Sequence, residues 1–120
     1  MKRGVIRVFA DGATLDLAVY ESINALWKEC YLFNRIRAEI AYKLLELLKG
    51  IFNTIDLYSM KGFEKEVFKM ALEEGITIYD ASYLYITMKN NLTLVTDDRK
   101  LKEVSSKHVK TLTSSQVCKL

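Results

Sequence analysis

The stretches that decide the fold are residues 78–84, IYDASYL, and residues 94–101, LVTDDRKL. The first stretch begins within a short β-branched apolar run, residues 76–79, and the second within another, residues 92–96. Each run predicts a strand, and the acidic residues and helical pattern that follow predict a strand-to-helix junction. Ligands collect at the carboxyl ends of the strands in open α/β sheets, so the pattern places carboxylates at a functional edge. Neither stretch contains histidine or cysteine, and oxygen ligands alone favour a hard cation such as Mg²⁺ or Mn²⁺. Metal-dependent phosphodiester chemistry is the leading hypothesis.

The composition is that of one ordinary globular domain. The 120 residues are 50% hydrophobic and 28% charged, with a formal net charge of +3, which permits a nucleic-acid partner without requiring one. The two cysteines, Cys30 and Cys118, lack metal-binding spacing and are expected to be free thiols. With no signal peptide and no apolar run of about 20 residues, the chain is expected to be cytoplasmic, without a membrane partner.

Along the chain, strand and helix patterns alternate, which predicts an α/β fold with a parallel sheet and flanking helices in one domain over residues 1–120. The predicted strands are 5–10, 14–17, 53–57, 76–79, 92–96 and 109–112. The predicted helices are 18–30, 36–48, 62–74, 80–88 and 98–104. Gly50 and Gly75 are predicted to end the second and third helices.

Three blocks together resemble the PIN domain, and most closely the toxin ribonucleases of the VapC type. Residues 15–28, LDLAVYESINALWK, are similar to that family's strand, acidic residue and E-x-x-N-A-L helix. Residues 77–83, TIYDASY, resemble its YDASY block, and residues 96–101, TDDRKL, resemble its T-x-D-x-x-L block. The order and spacing of the blocks extend the resemblance over nearly the whole chain.

The resemblance implies a site of four acids that binds one or two Mg²⁺ or Mn²⁺ ions and cleaves single-stranded RNA. It also implies inhibition by a cognate antitoxin and assembly as a homodimer. By matching motif position, Glu21, Asp80 and Asp98 take catalytic and metal-ligand roles. Asp97 falls at the variable position of its block and is a further metal candidate.

One part of the family's pattern is missing from its usual place. The family's first strand ends in an aspartate, and one or two helices separate that strand from the Glu-bearing helix, whereas Glu21 occurs too early for them. A PIN-like domain truncated at its amino-terminal end is therefore expected. Asp11 follows the apolar run 5–10 but stands too close to Glu21 to take the missing role.

Three functions remain open at this point. The first is a ribonuclease of the VapC toxin type, weakened by loss of one acid. The second is a degenerate module that binds RNA or a protein partner without cleavage. A receiver-like phosphoacceptor domain ranks far below both, because its acidic pair follows the first strand rather than one of the last.

The four acidic candidates also have ordinary structural explanations. Asp80 and Asp98 stand where a carboxylate caps a helix, so capping alone explains their positions. Asp97 is explained by a solvated turn, and Glu21 by a helix face in solvent. The repulsion between Asp97 and Asp98 favours a bound cation beside them.

Four other residues are predicted to contact the substrate, namely Asn24, Thr96, Arg99 and Lys100. The two cations suit RNA phosphates, although a solvated helix end explains them equally well. His108 is interpreted as a surface residue. Four aromatic residues follow helical or strand periodicity and are interpreted as core or dimer contacts rather than base-stacking platforms: Tyr20, Trp27, Tyr79 and Tyr83.

Overall fold

The structure, a computed structural model, describes residues 12–119, which form two compact units, 12–59 and 60–119. Each unit contains one pair of short parallel strands together with helices. The predicted α/β class with parallel strands is confirmed. The predicted strand at 5–10 and Asp11 lie outside the described residues, and the single domain over 1–120 stays a prediction.

The first unit is a strand, two helices and a returning strand. Its elements are β1 (Ala13–Leu15), α1 (Leu17–Trp27), a π-helical turn (Lys28–Leu32), α2 (Ala38–Thr54) and β2 (Asp56–Tyr58). Ala13 lies opposite Asp56 in a parallel pair. Parallel strands need a crossover connection, and the predicted helical hairpin supplies it.

The second helix is longer than predicted. The sequence predicts that Gly50 ends it and that residues 53–57 form a strand, but α2 continues to Thr54 and β2 begins only at Asp56. The predicted strand is present, but it begins three residues later than predicted. The predicted helix end at Gly50 is wrong, because a helix-ending glycine takes a left-handed conformation. Among the described residues, the glycines with positive φ are Gly62 and Gly75. Gly50 stays helical, at a cost of about 1 kcal/mol relative to alanine.

The second unit contains four helices and two strands within the described residues. They are α3 (Glu64–Glu74), α4 (Ile78–Lys89), β3 (Leu94–Val95), α5 (Arg99–Ser105), β4 (Thr111–Leu112) and α6 (Ser114–Cys118). Leu94 lies opposite Thr111 in the parallel pair. As predicted, α3 ends at Gly75, which is left-handed with φ 67°.

The predicted strand at 76–79 is wrong, because Ile78 and Tyr79 are the first two residues of α4. Thr77 is the N-cap residue, and its Oγ1 accepts a hydrogen bond from the Asp80 backbone N–H at 3.1 Å. The hydroxyl satisfies an amide that the first turn of a helix leaves without a partner. Asp80 lies within that first turn, so the capping role predicted for it belongs to Thr77.

The core of the second unit lies between α3, α4 and α5. Its buried residues are Val67, Ala71, Ile76, Ala81, Leu84 and Val104. The rings of Phe63 and Tyr85 pack beside it with centroids 5.4 Å apart. In the first unit, neither α1 nor α2 has a buried residue. Among residues 12–119, no helix is both long and apolar enough to cross a membrane.

An ion-pair cluster joins the end of α3 to the loop after α5. Glu74 Oε2 lies 3.1 Å from Lys107 Nζ, and Glu74 Oε1 lies 2.6 Å from His108 Nε2. His108 is at the surface as predicted, and it has this partner. The hydrogen bonds from His108, and secondarily from Lys107, hold the pKa of Glu74 below its ordinary value of 4.5.

This lowered pKa predicts a loss of stability in acid. A carboxyl group whose pKa is depressed by folding stabilises the protein above its unfolded pKa, and the stabilisation is lost as pH falls through the folded pKa. The difference in free energy of unfolding between wild type and Glu74→Gln should therefore shrink from neutral pH to about pH 3, measured by urea unfolding. Glu73→Gln, a neighbouring exposed carboxylate, serves as the control. A difference that stays constant with pH contradicts the prediction.

Candidate functional site

The carboxyl ends of the two strands in the second unit meet at one edge. Thr96, Asp97 and Asp98 follow β3, and Ser114 follows β4 closely. Asp97 joins the two strand ends, because its Oδ1 accepts from the Ser114 N–H at 2.9 Å and its Oδ2 accepts from the Ser114 hydroxyl at 2.7 Å. The predicted acidic edge after parallel strands is therefore present at β3.

Both oxygens of Asp97 are directed to the start of α6. The Ser114 hydroxyl, and secondarily its backbone N–H, lower the pKa of Asp97 below its ordinary value, so the carboxylate stays charged near neutral pH. Asp97 thus does more than occupy a solvated turn, because it anchors α6. Its predicted metal-ligand role stays a prediction.

Asp98 is the N-cap residue of α5, which confirms the structural explanation given for it. Its Oδ1 accepts from the Leu101 N–H at 2.9 Å, and its own N–H donates to Thr96 Oγ1 at 3.1 Å. These two bonds fix both the backbone and the side chain of Asp98. Arg99 and Lys100 follow, exposed, in the first turn of α5.

Asp80 is half-buried in the first turn of α4. The two residues that follow it are buried, since Ala81 is inaccessible to solvent and Ser82 is 3% exposed. The Ser82 hydroxyl donates to the Ile78 carbonyl at 2.7 Å. Asp80 is thus carried on a firmly packed helix, as a residue that positions a ligand should be.

Glu21 and Asn24 lie on α1, in the first unit. With Tyr20, Ile23 and Trp27 they line a shallow groove on the surface of this helix, open to solvent. Glu21 is exposed, as its structural explanation predicted. The groove brings together the candidate metal ligand and the candidate substrate contact of this unit.

The predicted site residues therefore fall into three groups. Thr96 to Lys100 are contiguous after β3, Asp80 lies in the first turn of α4, and Glu21 and Asn24 share the α1 groove. Within either unit, no three His, Cys, Asp or Glu side chains among residues 12–119 lie close enough to hold a metal ion. The convergence of Glu21 with Asp80 and Asp98 stays a prediction.

The sequence reasoning missed two residues at the strand ends. Ser114 donates two hydrogen bonds to Asp97. The residues next to Ser114 in the sequence do not indicate a partner 17 positions away. Asp16 follows β1, and its N–H donates to the Tyr58 carbonyl at 2.8 Å. The signal for Asp16 was available, because it is an acidic residue directly after a parallel strand.

Three of the four aromatic residues interpreted as core or dimer contacts are not core residues. Tyr20 is 75% exposed, Trp27 49% and Tyr79 60%. The helical spacing of Tyr20, Ile23 and Trp27 does put them on one face of α1, but that face lines the groove. Tyr83 is half-buried on α4.

Two curated proteins that are similar to this chain are named as nucleases. This chain is 39% identical over 90 residues to ribonuclease VapC3 of Pyrobaculum aerophilum, and the match covers 75% of this chain and 68% of that protein. It is 39% identical over 89 residues to exonuclease VapC9 of the same organism, covering 74% of this chain and 63% of that protein. The chain thus spans about two thirds of the length of these curated relatives.

A solved structure is also similar. The crystal structure of PAE2754 from Pyrobaculum aerophilum matches with a TM-score of 0.71 and 33% sequence identity, over 89% of this chain and 74% of that one. No protein-family profile matches the chain. The names of the two sequence relatives agree with the resemblance stated from the three sequence blocks.

Proposed function

Because this chain belongs to the VapC family of toxin ribonucleases, with the α/β fold of PIN domains, we propose that it cleaves single-stranded RNA with a divalent metal ion and is inhibited by a cognate antitoxin. The observation that carries the proposal is the 39% identity to ribonuclease VapC3. Relatives named as nucleases favour cleavage over the alternative of a module that only binds.

The candidate residues suit Mg²⁺ or Mn²⁺. Glu21, Asp80 and Asp98 offer carboxylate oxygens, the ligand type that these hard cations prefer. The cap and the Thr96 hydrogen bond hold Asp98 in place before any ligand arrives, which reduces the entropy lost on binding. A bound metal would supply an acidified water and stabilise the charge that develops on phosphate.

The remaining predicted residues divide into direct and indirect roles. Arg99 and Lys100 are exposed next to Asp98, and their role in this proposal is to hold RNA phosphates. Thr96 acts through its hydrogen bond to the Asp98 N–H. Asn24 lies in the groove with Glu21, and its role in this proposal is to orient a water or a ligand carboxylate.

Metal dependence tests the proposal. Wild-type protein is incubated with a labelled single-stranded RNA in EDTA, and then with excess Mn²⁺ or Mg²⁺. Cleavage only after the metal is added is expected, because the proposed reaction uses a water molecule acidified by the metal ion. Cleavage that EDTA leaves unchanged, or no cleavage with either metal, overturns the proposal.

A calorimetric titration with Mn²⁺ tests which residues share the ion. Glu21→Gln and Asp80→Asn should each weaken Mn²⁺ binding if both carboxylates hold one cation, whereas Glu66→Gln on α3 serves as an exposed control. An unchanged affinity in Glu21→Gln contradicts a shared site.

We also propose that the protein forms a homodimer through α2. Ile40, Leu44 and Leu47 follow the i, i+4, i+7 spacing of one helix face, and all three are exposed, Leu47 by 64%. An exposed aliphatic stripe on a helix that buries none of its residues is typical of a protein interface. The predicted contribution of residues 5–10 to the dimer lies outside the described residues.

Sedimentation equilibrium tests the dimer. Wild type should sediment as a dimer at micromolar concentration, and Leu47→Glu should be monomeric, because a charge in the stripe would have to be desolvated on association. Lys49→Glu on the same helix is the control and should remain dimeric. A monomeric wild type contradicts the prediction.

A further inference from the structure

The segment between β3 and α5, residues 96–98, is held at both of its ends. At its start, the Thr96 N–H donates to the Leu112 carbonyl at 2.9 Å and extends the parallel pairing of β3 with β4. At its end, Asp98 is the N-cap residue of α5. Asp97 lies between these two attachments, so a third attachment through its side chain limits the movement of the whole segment.

Asp97 supplies that third attachment. Its two carboxylate oxygens accept from one residue, Ser114, with Oδ1 bound to the backbone N–H at 2.9 Å and Oδ2 to the hydroxyl at 2.7 Å. Hydrogen bonds to an ionised carboxylate are stronger than neutral ones, and two of them to one partner fix the orientation of the group as well as its position. We call this pair of residues, Asp97 and Ser114, the clamp.

The backbone to which the clamp is attached is itself held in place. Thr113, directly before Ser114, is the N-cap residue of α6 and forms a capping box with Gln116. The Thr113 N–H donates to Gln116 Oε1 at 2.7 Å, and Thr113 Oγ1 accepts from the Gln116 N–H at 3.3 Å. A capping box fixes the chain where a helix begins. Asp97 is therefore tied to an ordered part of the chain.

A second link joins α5 to β4 at the other end of the helix. The hydroxyl oxygens of Ser105, the last residue of α5, and Thr111, the first residue of β4, lie 3.0 Å apart. Ser105 is inaccessible to solvent. Links at both ends of α5 fix the direction of the helix relative to the strand pair, and the clamp is the link next to Asp98.

The two neighbouring carboxylates have different partners. Asp98 Oδ1 accepts from the Leu101 N–H within α5, whereas both oxygens of Asp97 accept from Ser114 at the start of α6. Each hydrogen bond occupies one of the lone pairs that a metal ligand would offer. Asp97 therefore has fewer lone pairs left for a cation than Asp98 has, and its position next to Asp98 suits an indirect role.

We propose that Asp97 and Ser114 are positioning residues that act on the metal ion through Asp98. The clamp keeps residues 96–98 in place, so the Asp98 carboxylate is already oriented when the cation arrives. Partners that orient a metal ligand in this way contribute to metal affinity without contacting the metal. The inference rests on the proposed ribonuclease function and replaces the metal-ligand role predicted for Asp97 with a role in hydrogen bonding.

Two substitutions at Asp97 separate hydrogen bonding from charge. Asp97→Asn keeps both bonds, because the amide oxygen accepts from the Ser114 N–H and the amide nitrogen donates to the Ser114 hydroxyl. Asp97→Ala removes both. In a calorimetric titration with Mn²⁺, Asp97→Ala should weaken binding about tenfold, whereas Asp97→Asn should bind nearly as wild type does. Equal weakening by the two variants would show that Asp97 acts through its charge, which overturns the proposal, and so does unchanged affinity in Asp97→Ala.

A double-mutant cycle tests whether Asp97 acts through Ser114. Ser114→Ala leaves the backbone hydrogen bond and should weaken Mn²⁺ binding about threefold. Combined with Asp97→Ala it should add nothing, because the acceptor of the hydroxyl is already gone. Ser106→Ala is the matched control and should bind like wild type, since it removes another exposed serine hydroxyl, which donates to the Lys102 carbonyl at 2.6 Å. Additive losses in the double variant contradict the clamp.

Hydrogen exchange of the Leu101 amide in the metal-free protein gives a measurement that does not depend on a cation. This N–H donates to Asp98 Oδ1, so its exchange rate reports on the cap. Asp97→Ala should raise the rate about tenfold by local opening, and Asp97→Asn should not. If wild type binds Mn²⁺ and the rate is unchanged in Asp97→Ala, the positioning role alone is overturned. If wild type binds no Mn²⁺, the ribonuclease proposal is overturned and this inference with it.

Discussion

Replacing Asp98 with asparagine is expected to reduce RNA cleavage about 100-fold or more while leaving the stability of the protein nearly unchanged. Asparagine is as good an N-cap residue as aspartate, so its amide oxygen can accept the hydrogen bond that the Leu101 N–H now gives to Oδ1. What the substitution removes is the negative charge that a cation needs. Rates of cleavage with Mn²⁺ and urea unfolding curves measure the two effects separately.

Two further variants complete that experiment. Asp98→Ala removes both the charge and the cap, so it should lose activity and also about 1 kcal/mol of stability. Glu66→Gln removes an exposed carboxylate from α3 and should change neither. If Asp98→Asn cleaves RNA like wild type, Asp98 acts only as a helix cap and the metal site must be built from other residues.

Truncating Leu84 to alanine is expected to lower the free energy of unfolding by about 2–5 kcal/mol. Leu84 is inaccessible to solvent and belongs to the core between α3, α4 and α5, so the substitution leaves a cavity that the surrounding helices fill only in part. Small domains are stable by only about 5–15 kcal/mol in total. The variant should therefore unfold at a clearly lower urea concentration.

Leu72→Ala is the matched control for this effect. It makes the same chemical change on α3, but Leu72 is 69% exposed, so a change within about 0.5 kcal/mol is expected. Equal destabilisation by the two variants would show that the core does not lie where the structure places it.

Features encoded by neighbouring residues were predictable from the sequence. The end of α3 at Gly75 and the cap of α5 at Asp98 each depend on one residue whose chemistry is decisive. The acidic edge after β3 followed from a β-branched run and the polar residues directly behind it. Such signals lie within a few positions of the structure that they specify.

Predictions failed where two local signals competed. Residues 76–79 are β-branched and apolar like a strand, but the Thr77 hydroxyl and the Asp80 amide meet as a helix cap, and the cap prevailed. Gly50 carries the signal of a helix end, yet α2 continues to Thr54. The Asp97 to Ser114 hydrogen bonds were beyond sequence reasoning, because the pairing of β3 with β4 brings these residues together.

The parallel pairing of the strands has a consequence for the order of folding. Ala13 must find Asp56 across 43 positions, whereas Leu94 finds Thr111 across only 17. Closing the longer loop costs about 0.8 kcal/mol more free energy than closing the shorter one, because the chain entropy lost on closure grows with the logarithm of loop length. Pairing over short separations also forms faster. When the complete chain refolds, we therefore expect the strand pair of residues 60–119 to form before that of residues 12–59. During synthesis we expect the opposite order, because the pair of residues 12–59 can form as soon as Tyr58 has left the ribosomal exit tunnel.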